Sequence, residues 1–204
     1  MRLDERIYCG GFTMIYIVNG APGAGKTTFE TNVQKCMGNS FCHILSTIDF
    51  VKEIAKKCGW NGEKDLKNRK FLSDLKDLLT NWNNVPFNKI IQQVKSIEDE
   101  WKYYDIDLNR TAIFIDCREP EEIQKLCATL NAKSLLITRA DAENTSTSNH
   151  ADQNVLNYDY DIIIQNNSDL IEFARTAIYF VEEEGLSFQS KPISVNLYGE
   201  ICYC

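Results

Sequence analysis

Five short apolar runs punctuate the chain and set the expected architecture. Met14–Asn19, Cys42–Ser46, Thr111–Asp116, Lys133–Thr138 and Asp161–Gln165 are apolar or β-branched through their middles, with IYIV, AIFI, SLLI and DIIIQ the clearest. A strand with one face in water alternates polar and apolar positions, whereas an unbroken apolar run fits a strand covered on both faces of a parallel sheet. Between the runs the spacing becomes helical. Lys26–Met37 follows the first run. Ile48–Cys58 carries apolar residues at 48, 50, 51, 54, 55 and 58, a stripe of helical period. Leu66–Leu79 places 71, 72, 75, 78 and 79 on one face. Asn88–Tyr104 comes after Pro86, and Glu119–Leu130 opens with Pro120 and two glutamates, both suited to a first helical turn. Ser168–Glu184 closes the series, with Asn167 or Ser168 as N-cap. This alternation predicts a three-layer α/β domain around a five-stranded parallel sheet.

Two stretches depart from plain alternation. Residues 47–105, between the second and third strands, read as successive helices and exceed what one crossover requires. Residues 139–154, RADAENTSTSNHADQN, hold no apolar side chain larger than alanine. Insertions at the carboxyl ends of parallel strands are where such folds place substrate covers, so a short lid is expected there. With no low-complexity linker and no internal repeat, residues 14–184 are expected to form one domain. Residues 1–13 are an N-terminal extension, either an ordered extra segment or sequence upstream of a start at Met14. Residues 185–204 include the alternating ISVNLY, which either adds an edge strand or frays.

Composition narrows the classes. At 204 residues and 44% hydrophobic content, the chain can bury a sizeable core. A net charge of −7 argues against a general nucleic-acid binder, which needs a basic surface to displace counterions. No apolar run approaches the roughly 18–20 residues of a membrane helix. The polar, acidic start MRLDERIYCGGFT is unlike a signal peptide, so a cytoplasmic protein is expected. The eight cysteines contain no CxxC pair and no histidine at ligand spacing, which fits reduced thiols used as small hydrophobes.

The chemistry begins at Gly20–Thr27, GAPGAGKT, a complete GxxxxGK[ST] pattern between an apolar strand and a helix. Glycines let the backbone turn tightly enough for successive N–H groups to face phosphate oxygens, and the helix start adds its positive dipole end. Gly20, Ala21, Pro22, Gly23, Ala24, Gly25, Lys26, Thr27 and Thr28 are therefore expected to cradle ATP. Lys26 would reach the β- and γ-phosphates, and the Thr27 hydroxyl would bind Mg²⁺. Asp116 ends an apolar strand and would hold the same Mg²⁺ through its waters; otherwise it is an N-cap before Pro120. Many ATP-hydrolysing machines place a glutamate next, to orient a water. This chain has Cys117 and then Arg118, which favours transfer to a second phosphate over hydrolysis.

Taken with an acidic helix after Asp116-Cys-Arg118, these motifs resemble the P-loop nucleoside monophosphate kinases. The likeness is to the deoxynucleoside monophosphate kinase and phosphomevalonate kinase branch. Leu135–Arg139, the polar stretch to Asp152 and Tyr158–Asn166 extend it over most of residues 14–184. The resemblance implies that the helices of 47–105 form an acceptor-binding arm. Asp49 and Lys52 lie in its first helix and Arg69 in the next. Arg69 and Arg118 would clamp the acceptor phosphate with Lys52 assisting, and Arg139 would cover the transferred group. Lys52, Arg69 and Lys70 also read as solvated residues on amphipathic helices. The chain departs from the family in its lid: Arg139 is followed by no Arg or Lys until Arg175, and His150 is the remaining potential cation. Asn166 either meets the adenine or turns the chain.

The expected activity is ATP- and Mg²⁺-dependent phosphoryl transfer to a small phosphorylated acceptor, a nucleoside or deoxynucleoside monophosphate. The alternatives are an ATP-binding switch with little transfer activity, or a kinase of an isoprenoid or sugar phosphate. Phe50, Trp60 and Phe71 could stack a base or equally fill helix cores. No nucleic-acid or membrane partner is expected, and the oligomeric state is open.

Overall fold

The computed structural model describes residues 11–63, 65–140, 158–190 and 192–203. Along the chain come β1 (Met14–Asn19), α1 (Lys26–Met37), β2 (Cys42–Ser46), α2 (Asp49–Lys57), α3 (Leu66–Asn83), α4 (Val85–Tyr103) and β3 (Ala112–Asp116). They are followed by α5 (Pro120–Leu130), β4 (Lys133–Thr138), β5 (Ile162–Gln165), α6 (Leu170–Glu183), β6 (Pro192–Val195) and β7 (Ile201–Tyr203). The first five strands form one parallel sheet in the order β2-β3-β1-β4-β5.

Central β1 explains why the sequence runs are unbroken. Ile15 and Ile17 face a core shared with Ile90, Trp101, Ile113, Ile123 and Leu126. Tyr16 and Val18 face the opposite core, with Phe29, Val33, Phe114, Phe173 and Phe180. Tyr16, Ile17 and Val18 are fully buried. With helices on both faces, each strand residue gains from leaving water, so polar positions drop out. At the sheet edges the expectation of two-sided burial fails. In β5 only Ile164 is buried, Ile163 being 58% exposed, and in β2 only Cys42 is buried. An edge strand has a neighbour on one side only and projects past the helical layers.

The insertion is a three-helix excursion. Trp101 of α4 anchors it, 2% exposed, with its indole N–H donating to the Ser40 carbonyl at 2.8 Å. α3 packs on α2 and α4 yet has no fully buried residue. Asp65 caps α3 by accepting from the Asn68 N–H at 2.7 Å, and Asn84 turns the chain into α4 with φ 53°. The cap of α6 differs from expectation. Asp169, not Asn167 or Ser168, accepts the Ile171 and Glu172 N–H groups at 2.9 Å. Asn167 instead accepts from the Ala140 N–H at 3.0 Å. The C-terminal segment neither joins the main sheet nor frays: β6 and β7 pair antiparallel as a separate hairpin against α6 and α1. Among the described residues, Cys36, Cys42, Cys58, Cys117, Cys127 and Cys202 are free thiols, and no helix is long and apolar enough to cross a membrane.

Candidate active site

Register brings the chemistry together. In the β1–β3 ladder Val18 pairs with Asp116, and the Cys117 N–H donates to the Val18 carbonyl at 3.0 Å. The glycine loop and the Asp116-x-Arg118 turn therefore leave adjacent strands at the same sheet edge. Two glycines are required by contact as well as by angle. A Cβ at Gly20 (φ 152°) would stand 2.4 Å from the Ile137 carbonyl oxygen, and one at Gly25 (φ 103°) 2.5 Å from Asn166 Nδ2. Gly25 is also the N-cap of α1 and supplies no side-chain acceptor, which leaves the first-turn N–H groups directed at a ligand.

Two asparagines hold this loop. Asn19, fully buried at the end of β1, accepts the Gly20 N–H at 2.8 Å and donates to the Tyr160 hydroxyl at 2.7 Å and the Arg118 carbonyl at 3.3 Å. Asn166, 7% exposed after β5, donates to the Ala24 carbonyl at 2.8 Å. Both side chains satisfy loop backbone that would otherwise be buried unpaired. Asn166 thus pins the loop while also lining the cleft. Lys26 Nζ donates to the carbonyls of Gly20 and Ala21, folding back over its own loop.

Asp116 suits a hard cation. Its Oδ1 is buried without a hydrogen-bond partner. Burial pushes its pKa up, Asp49 adds to this, and Lys26, Arg118 and Lys52 oppose it. With the Thr27 hydroxyl in the same cleft, the donor set is all oxygen, as Mg²⁺ requires. The residues present fit the ion.

A cleft of about 1680 Å³ runs from the loop to the helical arm. Of the residues expected to cradle ATP, Pro22, Gly23, Gly25, Lys26, Thr27 and Thr28 line it, while Gly20, Ala21 and Ala24 do not. Asp116, Arg118 and Arg139 line it too, as do Lys52 and Arg69 from the arm. Asp49 lies behind, paired with Lys52 at 2.9 Å. Lys70 is turned away in an exposed pair with Asp74 at 2.8 Å. Of the three aromatics considered for stacking, none lines the cleft; Phe87 of α4 does, with Lys125 Nζ 4.2 Å from its ring centroid. The rest of the expected lid, including His150 and Asp152, lies outside the described residues.

Several cleft residues had no signal in the sequence. Lys76 of α3 meets Glu122 of α5 at 2.6 Å, the two being 17% and 15% exposed. Glu122 also accepts from the Cys117 thiol at 3.3 Å, and Lys76 reaches Thr47 Oγ1 at 3.5 Å. Burial, the largest single influence, would depress the lysine, but Glu122, Cys117 and Glu119 together outweigh it and raise the pKa, so Lys76 stays charged. This pair joins the arm to the sheet. Glu30, a turn along α1 from Lys26, is 1% exposed.

Sheet order and loop position decide the class. The fold is a three-layer P-loop NTPase fold of the kinase type. Similar solved structures include the APS kinase CysC of Mycobacterium tuberculosis, 10% identical, with 84% of this chain and 99% of that one covered at a TM-score of 0.40. TT1252 of Thermus thermophilus is 12% identical, with 86% and 100% covered at 0.49. These likenesses are distant, and no protein-family model or curated protein matches the chain.

Proposed function

We propose that this chain is an ATP-dependent phosphotransferase that passes the γ-phosphoryl group to a small phosphorylated acceptor, a nucleoside or deoxynucleoside monophosphate. One observation carries the reading: a single cleft contains a phosphate loop with Lys26 and Thr27 and, toward the arm, the cations Lys52, Arg69 and Arg118. Cations from both the loop and the arm in one cleft suit two anionic substrates. Leu72 and Phe87 near the arm cations favour an acceptor with a flat apolar group, such as a base.

In this mechanism the loop N–H groups hold the β- and γ-phosphates, and Lys26 exchanges its loop carbonyls for phosphate oxygens. Arg69 and Arg118 fix the acceptor phosphate, with Lys52 assisting. An oxygen of that phosphate attacks the γ-phosphorus in line. The bond to the β–γ bridging oxygen breaks, and its electrons leave with ADP. Arg118 and Arg139 neutralise charge that grows on the transferred group. Thr27 and Asp116 would hold Mg²⁺, which supplies charge neutralisation at the phosphates when bound. No protein nucleophile is required, and positioning does most of the work.

The test is ADP release measured over a panel of ribo- and deoxyribonucleoside monophosphates and phosphorylated metabolites, with Lys26→Ala as control. Acceptor-stimulated turnover with a monophosphate is expected, and its absence with every acceptor refutes the reading. A sugar- or isoprenoid-phosphate acceptor would be revealed by the same panel. The cation-poor stretch after Arg139 favours a second reading, an ATP-binding switch. That reading wins if calorimetry detects ATP binding while Lys26→Ala alters only a partner interaction.

A further inference from the structure

We propose that Glu30 is a buried positioning carboxylate behind the divalent-cation site, acting through Asp116 and Thr27. This rests on reading the loop as a nucleotide site. Four buried side-chain polar atoms lack a hydrogen-bond partner among the described residues, and two of them are Glu30 Oε1 and Asp116 Oδ1. Glu30 is 1% exposed. Such a burial without a partner is costly, and a leucine or methionine on this face of α1 would fill the space without that cost.

The position is specific. Glu30 follows Lys26 by four residues and Thr27 by three, so all three share one face of α1. Side chains on a helix lean toward its N-terminus, which carries the Glu30 carboxyl toward the loop. Burial is the main influence raising its pKa, Asp116 adds to this and Lys26 opposes it, while Glu30 in turn acts on Cys42 at the start of β2. Glu30 is thus buried between α1 and the sheet, within electrostatic reach of the half-buried Asp116 and Lys26. Glu30 does not open onto the cleft. It serves as a positioning residue behind Thr27 and Asp116, acting on the hydrated ion. Mg²⁺ commonly keeps several waters and few direct protein ligands, and partners behind those ligands tune its affinity.

The experiment measures Mn²⁺ binding by electron paramagnetic resonance, with a non-hydrolysable ATP analogue bound to the full chain. Glu30→Gln is expected to weaken Mn²⁺ by about tenfold or more, as loss of outer-shell partners does at other metal sites. Affinity for the same analogue in EDTA is expected to stay within twofold (~2) of wild type. Glu30→Leu provides a second arm. If the acid is kept for the ion, the metal-free Glu30→Leu protein melts at or above the wild-type temperature; a purely structural acid would make it melt lower. Unchanged Mn²⁺ affinity in Glu30→Gln, alongside intact analogue binding, overturns the assignment alone. Failure of the wild type to bind the analogue overturns both it and the nucleotide-site reading.

Discussion

Lys76→Met should detach the helical arm from the sheet. In the wild type the ammonium lies 2.6 Å from Glu122, with both side chains more than four-fifths buried. Removing one partner of a fully buried ion pair costs about 3–5 kcal/mol, because the other charge stays behind uncompensated. Here both groups keep some solvent, which lowers the expectation to about 2 kcal/mol. Glu122→Gln should cost less, about 1 kcal/mol, since a glutamine carbonyl can still accept from Lys76 and the Cys117 thiol. The double variant Lys76→Met/Glu122→Leu should lie closer to wild type than the sum of its singles. Urea unfolding of the cycle measures this, with a coupling of about 1–2 kcal/mol expected. The same variants should raise the acceptor KM, because Arg69 lies two turns before Lys76 on α3, while affinity for ATP stays unchanged. A coupling below about 0.5 kcal/mol, or an unchanged acceptor KM, refutes the idea that this pair sets the arm.

Asn19→Ala leaves the Gly20 N–H and the Tyr160 hydroxyl without their partner. It should cost about 2–4 kcal/mol in urea unfolding and weaken nucleotide binding in calorimetry. Gly25→Ala places a methyl 2.5 Å from Asn166 Nδ2 at φ 103°, so thermal stabilisation by added ATP should disappear in a protein that still folds. Asp161 is held below the usual carboxylate range by the backbone N–H and hydroxyl of Ser134, each donating at 2.7 Å. Its folded pKa is depressed, so its contribution is complete above the ordinary carboxylate range and is lost as pH falls through the lowered value. The carboxyl is exposed, which limits the effect to about 1 kcal/mol. Asp161→Asn should therefore flatten the acid limb of stability below the ordinary carboxylate range, checked by urea midpoints at successively lower pH.

The sheet and the loop were legible because each carries a local signature. β1, β3 and β4 are buried on both faces, and GAPGAGKT is a contiguous motif whose backbone is its function. The arm was visible only as too many helices between two strands. The residues missed share a physical reason. Lys76, Glu122 and Glu30 are charged residues within helices, where a charge ordinarily reads as a solvated face. Only the meeting of α3 with α5 through Lys76 and Glu122, or the packing of α1 on the sheet, shows that these face inward. Asn19 reads as the polar end of a strand, and nothing in its neighbourhood foretells bonds to residues near 118 and 160. Phe50, Trp60 and Phe71 were the aromatics singled out in the arm, yet Phe87 of α4 is the arm aromatic that lines the cleft among the described residues.

Lys26 spends its hydrogen bonds on the carbonyls of Gly20 and Ala21. The ammonium also feels the Asp116 and Glu30 carboxyls, so ligand association is an exchange against partners already in place, and its net gain is smaller than its contacts suggest. Charge-assisted bonds are roughly twice as strong as those to neutral acceptors, so a highly charged phosphate chain wins that contest and weakly charged groups do not. The loop backbone itself thereby becomes a threshold on ligand charge, favouring triphosphates over uncharged or singly charged competitors of similar shape.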